Sequence, residues 1–385
     1  MNDLVLTGCR PEPLGSYLKA LGVLRLVARQ KDPDATAWWK EDRLILRSKL
    51  SLEDLLHFFL HEFCPTPIVA PWNGGSGFYE GDAIDSRDAI LASPQSRFKP
   101  YRDVIRTILG WPEMAEWGLS LGRLMTEARS AAQRAGGKPA ANALAEVERE
   151  LAKHPRERNR LLGMPPSDLE KGPVRKAGEK LRTQINKLVR EAVKDTLIEL
   201  CRARLGEDGL EWLDCVALLT ADGEPQYPPL LGTGGNDGNL EYTYTQMQRI
   251  ADLLLPEPSS ASSRLLRGSL LGETVSGLAD VKVGQFDPGR AGGLNQGFGV
   301  SGDTAANGWD FVLMMEGAPL WSCNIVRRQE SARSYWNSPF TVLTRSVGYG
   351  SAAAQEKGRA EVWAPLWDRP LKYPELRAFL GEGRA

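Results

Sequence analysis

A chain of 385 residues with 42% hydrophobic content can bury a large core, and its size favours two or three domains over one small stapled scaffold. Its 48 basic and 49 acidic residues leave a formal net charge of −1, which excludes a global field drawing it onto nucleic acid or a membrane. Any basic surface must be local. Five scattered cysteines, Cys9, Cys64, Cys201, Cys215 and Cys323, form no CxxC pair. They fit reduced thiols in a cytosol and make a poor zinc site.

The opening apolar run meets Arg10 and Pro11 too early for a signal peptide or anchor, and no later window offers the roughly 18 apolar residues of a membrane helix. A cytoplasmic chain without a membrane partner is expected. Residues 14–30, LGSYLKALGVLRLVARQ, place Leu14, Tyr17, Leu18, Leu21, Leu24 and Val27 at helical spacing, with Lys19, Arg25 and Arg29 elsewhere around the wheel. Arg43 to Ser48 reads as a short strand. Ser51 caps a helix that runs to Phe63, where Pro65 and Pro67 stop it. Next comes PWNGGSGFY, residues 71–79, and then helical segments over 83–92 and 100–109.

From Trp117 to Leu205 the composition shifts to Ala, Arg, Lys, Glu and Leu, as expected of a helical module. Between Lys153 and Lys194 twelve basic residues stand against five acidic ones, a local balance of plus seven. That run is either a solvated helix face or a phosphate-facing one. After Gly206 the pattern predicts a strand at Trp212–Leu219, a Pro-rich link, a helix over 242–255 and a last helix near 373–380. Two more glycine- and asparagine-rich loops lie at 232–239 and 284–308. These elements predict an α+β fold, a mixed body of short strands and helices plus a basic, mainly helical module. The expected divisions are an N-terminal α+β region (1–116), the basic module (117–206) and a mixed region with glycine-rich loops (207–385).

Catalytic chemistry finds few residues to use. His57 and His61 have the i, i+4 spacing of metal ligands, but HFFLH lacks the glutamate of a zinc hydrolase and reads as packed helix. Gly74 to Phe78 departs from a serine-nucleophile elbow at its last position. Gly297 to Gly302 matches GxGxxG, yet it sits within glycine-rich coil instead of between a strand and a helix, so a nucleotide enzyme is disfavoured. Asp32-Pro-Asp34 falls in a turn without further carboxylates. No enzyme activity and no cofactor are therefore expected. Glycine-rich loops with Asn, Gln and Arg suit a different task, because their amides can hold phosphate oxygens and their side chains can read base edges. They equally suit plain turns with positive φ.

Several strings together resemble the large-subunit family of the type I-G (formerly I-U) CRISPR surveillance complex, or Cascade. They are GCRPEPLGSYLKALGVLRL (8–26), PTPIVAPWNGGSGF (65–78), WDFVLMMEGA (309–318), GYGS (348–351) and EVWAPLW (361–367). The resemblance implies a non-catalytic protein of antiviral defence that joins a CRISPR-RNA-bound backbone of other subunits. Such a subunit would recognise the protospacer-adjacent motif, or PAM, of duplex DNA, aid its opening and recruit a helicase-nuclease, while the guide RNA reads the long sequence. The partners implied are CRISPR RNA, target double-stranded DNA, the other subunits and the helicase-nuclease. Family members typically continue into a further helical C-terminal region, which this sequence lacks. The expected DNA-binding residues are Asn73, Ser76, Asn236, Asn239, Gln285, Arg290, Asn295 and Gln296 for motif reading, and Lys176, Lys180, Arg182, Lys187 and Arg190 for the backbone. The alternative is a scaffold subunit that contacts only guide RNA and neighbouring subunits.

Overall fold

The computed structural model describes residues 1–78, 83–112, 114, 145, 194, 196–220, 225–231, 236–237, 240–283, 286–287, 289, 303–327, 334–344 and 359–382. The fold is of the mixed α+β type. In order, the elements are β1 (Asn2–Leu6), α1 (Leu14–Gln30), β2 (Thr36–Lys40), β3 (Arg43–Ser48), α2 (Leu52–His57), α3 (Asp85–Ala92) and α4 (Lys99–Leu109). Then follow α5 (Glu207–Val216), β4 (Leu218–Leu219), β5 (Pro225–Gln226), β6 (Asn236–Asp237), β7 (Leu240–Glu241), α6 (Tyr242–Leu254) and α7 (Ser260–Leu271). The last group is β8 (Ala279–Lys282), β9 (Asp303–Ala306), α8 (Gly308–Gly317), β10 (Asn324–Arg327), β11 (Ser334–Asn337), β12 (Thr341–Thr344), β13 (Arg359–Val362), β14 (Leu371–Lys372) and α9 (Tyr373–Glu382). Among the described residues no helix is long and apolar enough to cross a membrane.

The chain divides into two compact units, Met1–Val69 with Ile84–Val104 and Gly206–Ala385, and Ala70–Ala83 with Ile105–Leu205. The first thus draws on both ends of the chain. Its sheet is antiparallel in the order β1-β3-β2-β14, with Leu6 opposite Leu44 and Trp39 also opposite Leu44. Alternation along β2 buries Ala37 and Trp39, as a half-solvated sheet requires. Trp39 stacks on Tyr17 of α1 at 5.7 Å, and Trp367 meets Trp39 edge-on at 5.9 Å. Trp367 also donates its indole N–H to the Ala37 carbonyl at 2.7 Å, so the EVWAPLW string is pinned beside the sheet.

The helix α1 is buried along nearly its whole length and packs on α8. Gly22 and Gly317 make that crossing possible. A Cβ on Gly317 would overlap the Leu18 carbonyl oxygen and lie 2.9 Å from the Gly22 nitrogen, and one on Gly22 would overlap the Leu313 carbonyl. The backbones therefore touch directly, a spacing that no other residue permits.

The Arg43–Ser48 strand and the Leu14–Gln30 helix coincide with the sequence expectation, as does the Ser51 cap, whose side chain accepts from the Asp54 amide at 3.1 Å. The capped helix changes pitch after His57 into a π-helical turn over Phe58–Glu62, closed by the Phe63 amide on the Phe58 carbonyl. The expected strand at 212–219 is corrected. Trp212 and Val216, four apart and both buried, follow a helical period through α5, and only Leu218–Leu219 is extended. Most of the basic module lies outside the described residues; 196–204 are helical.

The Asp32-Pro-Asp34 turn is a structural clamp. Buried Asp32 accepts from the Ser48 hydroxyl at 2.7 Å and the Lys49 amide at 2.8 Å, which ties the end of α1 to β3. Burial pushes its carboxyl up, but these donors and the Asp34 amide outweigh it and hold the group below its ordinary value of 3.8.

The close helix crossing and the clamp are both open to measurement. Gly22→Ala and Gly317→Ala should each lower the unfolding free energy by about 3 kcal/mol or more through backbone displacement, while Gly206→Ala, with open space around it, should cost only the weaker N-cap of α5, about 1 kcal/mol or less; urea unfolding reads both. A carboxylate whose folded value is depressed adds stability above its unfolded value and loses it as pH falls through the folded one. Asp32→Asn should therefore be less stable at neutral pH and lose less stability on acidification below the ordinary value of 3.8, measured by thermal unfolding across acid pH.

Candidate functional site

The first unit holds a cleft of about 680 Å³. The turn after β1 (Thr7, Gly8, Arg10, Glu12), the first turns of α1, the end of α7, the β8–β9 hairpin and the start of α8 enclose it. Two of the strings that carry the resemblance, 8–26 and 309–318, thus meet at one place. Lys19 is buried at the floor, and its ammonium donates to the Ser269 carbonyl and to Asp310 Oδ1, both at 2.7 Å. The Ser269 hydroxyl donates to the same oxygen at 2.7 Å, so Asp310 is fixed by two donors. Ser16 Oγ accepts from the Arg10 amide at 2.9 Å and holds the turn above the floor. One wall is apolar, formed by Val275, Val283, Phe286, Phe311 and Met314.

Cys9 beside the floor is fully buried, and burial pushes its thiol up to about 11, which keeps it protonated and poorly nucleophilic. The His57 and His61 rings lie with centres 4.8 Å apart at a tilt of 39°, and His57 Nδ1 lies 3.1 Å from Glu62. Burial, helped by His57 and Arg97, pulls the His61 ring below its usual range. Among the described residues no group of three or more His, Cys, Asp or Glu is arranged to hold a metal.

Beneath the cleft lies a second charged cluster that the sequence pattern does not announce. Arg25 reaches Glu316 Oε2 and Glu211 Oε2, each at 2.7 Å, and Thr66 donates its amide and hydroxyl to Glu316 at 2.8 and 2.6 Å. Arg29 also pairs with Glu211. Burial pushes the Glu211 carboxyl up, yet Arg25 and Arg29 overcome it and hold it low. Helical spacing puts Lys19 and Arg25 off the apolar face of α1, but both are buried. A signal exists all the same: Lys19 and Arg25 are six apart in one apolar helix, and Asp310 and Glu316 are six apart in another.

The residues expected to bind DNA divide into four groups. Gln285, Arg290, Asn295 and Gln296 lie outside the described residues, but their place in the chain is defined. The strands β8 and β9 pair antiparallel from Ala279 opposite Ala306 to Lys282 opposite Asp303, so all four belong to the connection this hairpin closes. Asn236 is in β6, opposite Glu241, and Asn239 falls outside the described residues between β6 and β7. Lys176, Lys180, Arg182, Lys187 and Arg190 also lie outside them.

Asn73 and Ser76, in the second unit, require a correction. The expectation is that they face outward from a stiff glycine-rich loop. Instead Asn73 is 6% exposed and Ser76 1%, and Trp72 and Phe78 anchor the same stretch at 2% and 6%. The loop turns tightly, with the Asn73 amide on the Ala70 carbonyl at 3.0 Å and left-handed Gly75 (φ 72°) and Gly77 (φ 85°). That tight path folds the two polar side chains inward, where the Ser76 hydroxyl finds no hydrogen-bond partner among the described residues. Conversely, Trp363 is not singled out by the sequence pattern, and it is 64% exposed.

A buried hydroxyl without a partner costs about 1–3 kcal/mol. Ser76→Ala should therefore leave stability unchanged or raise it by about 1 kcal/mol in denaturant titration, whereas a loss would show that the hydroxyl is used. No protein-family model matches the sequence, and no curated protein matches it either.

Proposed function

We propose that this chain is a non-catalytic large subunit of an RNA-guided CRISPR interference complex in the cytoplasm. It would recognise the protospacer-adjacent motif of duplex DNA, help open the duplex and recruit a helicase-nuclease, alongside CRISPR RNA and the backbone subunits. The observation that carries this reading is the mounting of the β8–β9 hairpin. Its connection contains Gln285, Arg290, Asn295 and Gln296, and its base lies against α1: a Cβ on Gly15 would come within 3.1 Å of the Phe286 carbonyl. Base reading in a groove needs polar groups carried on packed elements, and the β8–β9 pair beside α1 is such an element. The strings of the resemblance also converge in one core, since Thr66, Arg25 and Glu316 come from three of them and hydrogen-bond to one another.

Lys176, Lys180, Arg182, Lys187 and Arg190 are proposed to contact phosphates. Asn236 and Asn239 remain candidate readers, while Asn73 and Ser76 move from readers to loop structure. The scaffold reading, in which the chain contacts only guide RNA and neighbouring subunits, draws on Trp363 and Leu366, which are 64% and 56% exposed and would suit a protein neighbour.

Both readings are separable in the assembled complex. Alanine at Arg290, Asn295 or Gln296 should relax motif preference. The charge-neutral substitutions Lys180→Gln, Arg182→Gln, Lys187→Gln and Arg190→Gln should lower the salt dependence of binding by about one unit of slope for each phosphate left without its cation. Unchanged preference together with an unchanged salt slope, and no crosslink from this chain to target duplex, would leave the scaffold reading standing.

A further inference from the structure

Two cysteines far apart in the sequence meet in the core of the first unit. Cys215 stands in the last turn of α5, and Cys323 follows the 3-10 turn Ala318–Trp321 that continues α8. The Cys323 amide donates to the Asp214 carbonyl at 3.0 Å, so the backbone of Cys323 lies against the peptide bond that leads into Cys215. Standard bond lengths across that contact leave the two Cα atoms no more than about 7 Å apart, the limit within which a disulfide closes without moving the backbone. The thiols also share their surroundings. Cys215 donates to the Ala318 carbonyl and Cys323 to the Trp321 carbonyl, at 3.4 and 3.3 Å, on that one short turn. Cys215 is 1% exposed and Cys323 3%.

Burial pushes the Cys215 thiol well above its ordinary value, with Cys323 adding most to that after burial itself, and it pushes the Cys323 thiol up to about 12. Both are therefore protonated and unreactive while the core stays shut. We propose that Cys215 and Cys323 form a latent disulfide, closed by a small disulfide such as oxidised glutathione when the core around α5 opens locally. The thiolate of one cysteine displaces a glutathione thiolate, which takes up a proton, and the thiolate of the other then attacks the mixed disulfide and releases the second glutathione. Two protein thiols are oxidised to one disulfide, and one glutathione disulfide is reduced to two thiols. The bond staples α5, which carries Glu211, to the segment after α8, which carries Glu316. It thus ties together the two elements whose carboxylates hold Arg25. This device does not depend on nucleic-acid binding.

Incubating the full chain with oxidised glutathione in urea below its unfolding midpoint, then digesting it without reductant for mass spectrometry, tests the pairing. A peptide pair joined through Cys215 and Cys323 is expected, and it should separate on reduction. Closing a loop of about 100 residues should raise the thermal midpoint by about 4 °C or more over the reduced protein. Cys64→Ser, which removes the one cysteine that is not fully buried, should leave both results unchanged, while Cys215→Ser and Cys323→Ser should each abolish them. Glutathione adducts alone, links spread among Cys9, Cys64 and Cys201, or an unchanged midpoint in the linked protein would each overturn the proposal. The linkage and its midpoint are read on the unaltered chain, so a serine variant that failed to fold would still leave the test decisive.

Discussion

The first unit depends on a single contact, the crossing of α1 and α8 at Gly22 and Gly317. Because the two backbones touch, no side chain separates the helices there, and the charged residues three positions away on each side of Gly22 reach the partner helix directly. Lys19 finds Asp310 and Arg25 finds Glu316. Both pairs close at 2.7 Å across this crossing. Burying charge is costly, and only close, multiply hydrogen-bonded geometry compensates for it. The glycines thus bring the two helices close enough for short, buried ion pairs on both sides of the crossing.

This arrangement separates scaffold from surface in an instructive way. The strings that carry the family resemblance are mostly internal. Gly22, Arg25, Thr66, Glu316 and Trp367 hold elements together, and the α1–α8 pair supports both the sheet and the β8–β9 hairpin. Among the described residues, Arg10, Glu12 and Trp363 are exposed on that frame. A family resemblance built on frame residues speaks to how the chain folds, while what it touches must be argued from the loops.

Helical periods are the most legible part of the sequence. The α1 helix, the Ser51 cap and the 43–48 strand follow from local spacing and capping chemistry, which need no knowledge of the rest of the chain. Trp212–Leu219 misleads because Trp, Leu, Cys and Val in a short run satisfy a strand and a helix alike, and partners from elsewhere decide it: the Trp212 indole N–H on the Val69 carbonyl at 2.9 Å and Glu211 on Arg25. The cleft is illegible, since its walls come from residues 7–19, 268–289 and 306–314. Ser76 and Asn73 mislead for a related reason. Polar residues among glycines suggest display, yet a loop turned by two left-handed glycines can as readily direct them inward.

The paired charges also set an order of events during synthesis. Lys19 and Asp310 are separated by 291 residues, and so are Arg25 and Glu316. At about 5–20 residues per second, the N-terminal helix leaves the ribosome roughly 15–60 s before Asp310 and Glu316 exist. Throughout that interval Lys19 has no counter-charge and Arg25 has at most Glu211, 186 residues after it, so α1 is not fully satisfied in an apolar interior. The first helix made is therefore among the last to be locked, and the nascent chain carries an amphipathic, cationic helix that needs shielding until α8 arrives.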